Sequence, residues 1–207
     1  ISHGTLRAVK NGVPVATADI HPDRELALDP GGALGPIDGL PGKDPAFGLE
    51  AVWIDVAQRS QAQSLGYTVV DASTVVATHL NQILYKHCHE LIGHEEVQQL
   101  LQVLAKGSPK LAEEIVPGVL SLSGLLKVLQ ALLSEQVPVR DIRSIAESIA
   151  NNAGKSQDTA ALVAAVRVGL CRAIVQSIVG VEPELPVITL EPRLEQILLN
   201  SLQRAGQ

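Results

Sequence analysis

His79, His87, Cys88, His89 and His94 lie within one stretch, and imidazole and thiolate are the side chains that hold zinc. A zinc site needs three or four ligands that converge, commonly at C-x₂-C or H-x₃-H spacing, which is missing here. The stretch has helical periodicity, and at about 100° per residue His79 and His87 fall within roughly 80° of each other, while His89 swings about 200° further round. His94 lies past Gly93, where the helix is expected to end. The expectation is surface and helix-end histidines, and no metal.

Residues 39–44, GLPGKD, place a Gly-Lys after a glycine-rich run, the chemistry of a phosphate cradle. A P-loop needs Gly-x₄-Gly-Lys-Ser/Thr, because spaced glycines expose backbone donors and the hydroxyl holds magnesium. Ile37 stands where the first glycine should be, and Asp44 puts a carboxylate where the hydroxyl belongs. Neither a Gly-x-Ser-x-Gly elbow nor a Ser-x-x-Lys occurs. A small α+β hydrolase or transferase using Cys88 or a histidine stays open as an alternative, without a motif to carry it.

Phe47 is the single phenylalanine, set in 44–49, DPAFGL, at the edge of a polar loop. Two readings stand on sequence alone. The ring tucks back and anchors the loop on its own core, or it is an exposed apolar anchor for a partner, since aromatics dominate interface energetics. Thr74 and Thr78 lie on the polar stripe of the following helix.

The elements that position these residues come from a 207-residue chain, 46% hydrophobic and 18% charged, with ample material for a core. Aromatics are 2%, so Leu, Val, Ile and Ala must fill that core. A net charge of −6 is the wrong sign for tracking phosphate backbones, so no nucleic-acid partner is expected. Two distant cysteines suggest reduced thiols. The apolar window 162–181 carries Arg167 and Arg172, each costing about 2.5 to 3.5 kcal/mol at mid-membrane, and is expected to be a buried helix of a soluble domain. No targeting or membrane-spanning element is expected. Methionine is absent and the first residue is Ile1, so a piece of a longer gene product is expected.

Residues 6–10 and 13–18 flank Asn11-Gly12, which predicts a type I′ hairpin with Pro14 on an edge strand. Residues 29–45 are dense in Gly and Pro and read as an extended surface loop. Strands are expected at 51–54 and 67–70, joined by a helical piece over 56–65 that Gly66 closes. From Asp71 onward the period is helical. Helices are expected over 71–92, 95–105, a short one from Ser108-Pro109, 121–134, 141–151, 158–179 and 192–203, with a strand at 185–190. The spacing predicts small α/β units followed by a compact helical one.

The runs DPAFGLEAVWID at 44–55, QAQSLGYTVVDASTVVATHL at 61–80, VPVRDIRSI at 137–145 and AAVRVGLCRAIV at 164–175 resemble the cytosolic part of the FlhA/InvA/SctV family of type III secretion export gates. The likeness runs from NGVPV at 11–15, through IHP at 20–22, to LPVITLEP at 185–192, and DPAFGL with ATHL places it nearer the flagellar branch. It implies an α+β, multi-subdomain fold. Residues 1–22 and 72–91 would form part of a first subdomain, 23–71 an inserted second, 92–171 a helical third and 172–207 the start of a truncated α/β fourth.

The resemblance also implies a non-enzymatic docking platform without cofactor, at the cytoplasmic face of the bacterial inner membrane. It would form a nonameric homo-oligomeric ring and meet other export-apparatus components and flagellar export chaperones with bound cargo. The family docks these chaperones in a shallow apolar dimple, whose motif residues correspond to Asp44, Phe47 and Thr78. Val70 and Val75 would wall it, and Asp44 would fix the loop or meet a polar chaperone group. Gly169 and Cys171 depart from the small residues, Ala and Gly, expected in AAVRVGLCRAIV.

Overall fold

The computed structural model describes residues 4–154, 156, 158–180, 182 and 184–205. The ends of the expected first and fourth subdomains, 1–3 and 206–207, lie outside the described residues, as do 155, 157, 181 and 183. The chain is α+β, with two small sheets near its start and helices from residue 72 onward.

Asn11 and Gly12 adopt φ of 49° and 82°, the two positive values a type I′ turn requires, and they join β1 (Gly4–Lys10) to β2 (Val13–Ile20) as an antiparallel hairpin. The register shifts between Ala8 and Val9, opposite Pro14, where a missing N–H interrupts the ladder. A four-stranded antiparallel sheet follows, built from β3 (Arg24–Leu28), β4 (Leu40–Lys43), β5 (Glu50–Asp55) and β6 (Thr68–Asp71) in the order β4-β5-β3-β6. Between β5 and β6 a 3₁₀ turn, Val56–Gln58, leads into α1 (Arg59–Ser64).

Period-two alternation gives this sheet two apolar faces. On one, Leu26, Ala51 and Trp53 pack with Ala18 and Ile20 of the hairpin and with Val75 of α2 (Ala72–Leu91). On the other, Ala27, Ile54 and Val69 pack with Ala62 of α1 and with Ile37. The hairpin and α2 therefore cover one side of the sheet and α1 the other.

The remaining helices share a third core. They are α3 (His94–Gly107), α4 (Pro109–Glu113), α5 (Leu122–Ser134), α6 (Ile142–Ala153) and α7 (Thr159–Gly169), with a π-helical turn, Glu114–Val119, after α4. Side chains of Ser121, Asp141 and Asp158 cap α5, α6 and α7 by accepting from backbone N–H groups three residues on. α2 joins the two halves: Gln130 of α5 donates to the Ile92 carbonyl at 3.3 Å, and the Cys88 thiol meets the Leu133 carbonyl at 3.8 Å.

Several sequence expectations are corrected. The loop 29–45 contains β4, an edge strand that the Gly and Pro content of LPGK conceals. The central strand β3 carries no strand signal, because RELAL consists largely of good helix formers, and packing on both faces overrides that propensity. The single helix over 158–179 breaks at Leu170 into α7 and α8 (Cys171–Val179), bent by 68°. Only its first part is buried, since no residue of α8 is. Residues 185–190 pair with no described strand and stay exposed before α9 (Pro192–Ala205). No single described helix is long and apolar enough to cross a membrane.

Candidate functional site

The β4–β5 connection is short, and it closes around Asp44. The Asp44 N–H donates to the Leu49 carbonyl at 2.8 Å, and the Asp44 carbonyl accepts from the Gly48 N–H at 2.8 Å. Its carboxylate Oδ2 accepts from the Phe47 N–H, also at 2.8 Å. These three bonds close the turn on itself, and Asp44 is 5% exposed. The Lys43–Glu50 ion pair, 3.1 Å, sits where the two strands enter the turn. Because the backbone is tied inward, the Phe47 ring is left outward, 63% exposed, with Leu49 beside it at 52%. The ring therefore does not tuck back onto the chain's own core.

Trp53 is buried under the same end of β4, 2% exposed, in edge-on contact with His21 at a ring separation of 5.3 Å. A cavity of about 460 Å³ opens above it, between Thr17 and Asp19 of β2 and Pro41, Lys43 and Pro45. Sequence reasoning missed this cavity, because the hairpin and β4 are brought together only by tertiary packing. It also missed Leu34, 82% exposed in the loop after β3, and Leu49. Leu49 was legible within DPAFGL; Leu34 had no periodic neighbour to mark it.

The other three expected site residues divide. Val70 is half-buried and packs against the apolar core under α2. Val75 is 2% exposed and belongs to that core. Thr78, one turn further along α2, is half-buried on the flank of the buried Val75–His79 stripe. Asp44 and Phe47 are thus brought together directly, and Val70 and Val75 through a shared core.

The histidine stretch is not as expected throughout. His79, expected at the surface, is 6% exposed because it falls four residues after Val75 on the same face of α2. Both of its ring nitrogens are buried without a hydrogen-bond partner among the described residues. His87 Nδ1 instead meets Glu90 Oε1 at 2.8 Å, and Lys10 Nζ meets Glu90 Oε2 at 2.7 Å, which ties the hairpin to the end of α2. Hydrogen bonds from Lys10 and then His87 hold the Glu90 carboxyl down at about 2. No group of three or more His, Cys, Asp or Glu side chains among the described residues is placed to hold a metal ion.

The sequence pattern of the FHIPEP family matches residues 2–207. The flagellar biosynthesis protein FlhA of Escherichia coli K12 is 50% identical over 200 residues, covering 97% of this chain and 29% of the relative. The chain therefore spans under a third of that relative's length. Among solved structures, the CdsV protein of Chlamydia pneumoniae superposes with a TM-score of 0.76 at 24% identity, over 90% of this chain and 53% of that one. The nonameric EscV cytosolic domain of a type III secretion system gives 0.58 at 22% identity, over 82% of this chain and 50% of that one.

Proposed function

The chain belongs to the FHIPEP family, and from that premise we propose that it is the cytosolic docking platform of a flagellar type III export gate. It receives export chaperones with their bound cargo and presents them to the membrane channel. The observation that carries this reading is Phe47: a solvent-exposed aromatic on a turn held by three hydrogen bonds of Asp44, and therefore pre-organised for a partner. Leu49 adds exposed apolar area beside it, and Thr78, Val70 and Val75 are assigned to the docking surface by the family resemblance.

The same reading assigns 1–22 with 72–91, 23–71, 92–171 and 172–207 to successive subdomains. It places the whole protein at the cytoplasmic face of the inner membrane in a homo-oligomeric ring, a reading supported by the nonameric state of the EscV cytosolic domain. Its work is recognition and hand-over, with no bond made or broken by this chain. Cys88 faces a backbone carbonyl and His87 is engaged by Glu90, so these two do not pair as nucleophile and base. The deciding experiment is titration calorimetry with purified flagellar chaperone–cargo complexes. Saturable binding is expected, and absence of heat with every complex would overturn the reading.

A further inference from the structure

The turn between β1 and β2 sets a carboxamide beside an unshielded backbone nitrogen. Asn11 and Gly12 are both exposed, and neither the Asn11 side-chain amide nor the Gly12 N–H bonds to any described residue. Space around Gly12 is open, with nothing within 4 Å of where a Cβ would stand. The strands hold this turn weakly. Pro14 has no N–H to donate and the register slips opposite it, between Ala8 and Val9, so the ladder is interrupted close to the turn. Val9 and Val13, 54% and 63% exposed, add little burial at that end.

The rest of the chain supplies its own contrast. Asp38-Gly39 is the other place where an asparagine or aspartate precedes glycine. There the glycine is packed: a Cβ at Gly39 would stand 2.6 Å from the Trp53 carbonyl oxygen, and the Asp38 carbonyl accepts from Gln58 Nε2 at 3.1 Å. Asn81, Asn151, Asn152 and Asn200 lie inside α2, α6 and α9, where the next residue's N–H belongs to the helix ladder.

We propose that Asn11 is a site of spontaneous deamidation and isoaspartate formation. Hydroxide takes the proton of the Gly12 N–H, and that nitrogen attacks Asn11 Cγ. The N–Cγ bond forms, the Cγ–Nδ2 bond breaks, and ammonia leaves with a proton drawn from water. A second water then opens the cyclic imide at either carbonyl, giving aspartate or, with the backbone rerouted through Cβ, isoaspartate. Glycine matters because it has no Cβ to shield the attacking nitrogen. Local opening of a weakly held hairpin tip lets Asn11 rotate into line for the attack. The new carboxylate makes the net charge of −6 one unit more negative, next to Lys10, whose Nζ holds Glu90 Oε2 at 2.7 Å. The inference does not rest on the chaperone-docking reading, because Asn11 and Phe47 lie on different turns.

The test incubates the 207-residue chain at mildly alkaline pH, folded and in urea, and follows each site by peptide mass mapping with isoaspartate methyltransferase labelling. Folding is expected to slow conversion at Asn11 by less than about fivefold, and isomerisation at Asp38 by more than about tenfold. The converted chain should run as a more acidic species on isoelectric focusing. Asn11→Gln, whose extra methylene disfavours ring closure, is expected to lose that species. Stronger slowing at Asn11, weaker slowing at Asp38, or an undiminished acidic species in Asn11→Gln would each overturn the proposal.

Discussion

The carboxylate of Asp44 accepts a hydrogen bond from the backbone N–H of Phe47 at 2.8 Å, so a buried acid holds the most exposed aromatic of the chain in place. The two residues have opposite surroundings: Asp44 is closed into the turn, and the Phe47 ring stands out of it.

Replacing Phe47 by Ala is therefore expected to abolish chaperone–cargo binding while leaving folding stability within about 0.5 kcal/mol, since the ring is largely in water. Calorimetry paired with a urea melt separates the two quantities. Unaltered affinity would remove Phe47 from the site.

Asp44→Ala is expected to act differently. It strips the Phe47 N–H of its acceptor at a buried position and should cost about 1 to 3 kcal/mol of stability as well as weakening binding. Amide exchange at Phe47 and Gly48 should quicken in the variant. Wild-type exchange rates there would show that the carboxylate does not hold the turn.

Much of this was legible in the sequence where one short-range rule decides. Asn11-Gly12 fixed a turn, and Asp71, Ser121, Asp141 and Asp158 marked helix starts. What stayed hidden depends on neighbours distant in sequence. β3 is a strand because β5 and β6 flank it, against the helical preference of Arg, Glu, Leu and Ala. Phe47 could be placed in a loop, but its outward ring follows from the three hydrogen bonds of Asp44, which composition does not reveal. His79 was invisible for the same reason: burial of a polar side chain without a full set of partners is a tertiary fact.

His79 leads to a stability prediction. Two ring nitrogens buried without partners among the described residues cost free energy, and an apolar side chain of similar size removes that cost. His79→Leu is expected to stabilise the chain by about 1 kcal/mol, read as a higher urea midpoint with an unchanged slope. A lower midpoint would mean that the imidazole is satisfied in solution.

Acid sensitivity is expected to come from Asp71 and Glu90. In the folded chain Asp71 is lowered from 3.8 to about 2, first by the Ser73 hydroxyl and then by the Thr74 amide and hydroxyl. Glu90 is lowered from 4.5 to about 2, chiefly by Lys10 and then His87. Depressed native values mean that the unfolded chain binds more protons. The stability these groups add is therefore complete above their ordinary values and is lost as pH falls toward 2. Asp71→Asn with Glu90→Gln should flatten the fall in urea midpoint between about pH 5 and 2. An unchanged slope would assign the acid loss to other groups.

Gly169, the last residue of α7, meets Ser148 across the α6–α7 contact. A Cβ built at Gly169 would lie 2.1 Å from Ser148 Oγ and 3.3 Å from Ser148 Cβ. That hydroxyl is engaged, donating to the Ser144 carbonyl at 2.7 Å, so it gives way only by leaving its own bond. Gly169→Ala is thus expected to destabilise by about 1 kcal/mol, because crowding outweighs the helix propensity that alanine gains. In a Ser148→Ala background the crowding atom is gone, and the same substitution should become stabilising by up to about 1 kcal/mol. The sign reversal is the specific outcome, since residues in contact couple and distant ones add. Urea melts of the wild type, both single variants and the double variant measure it directly. Additive effects would show that α6 and α7 are held apart at this point in solution, and that the glycine is not there to admit the serine.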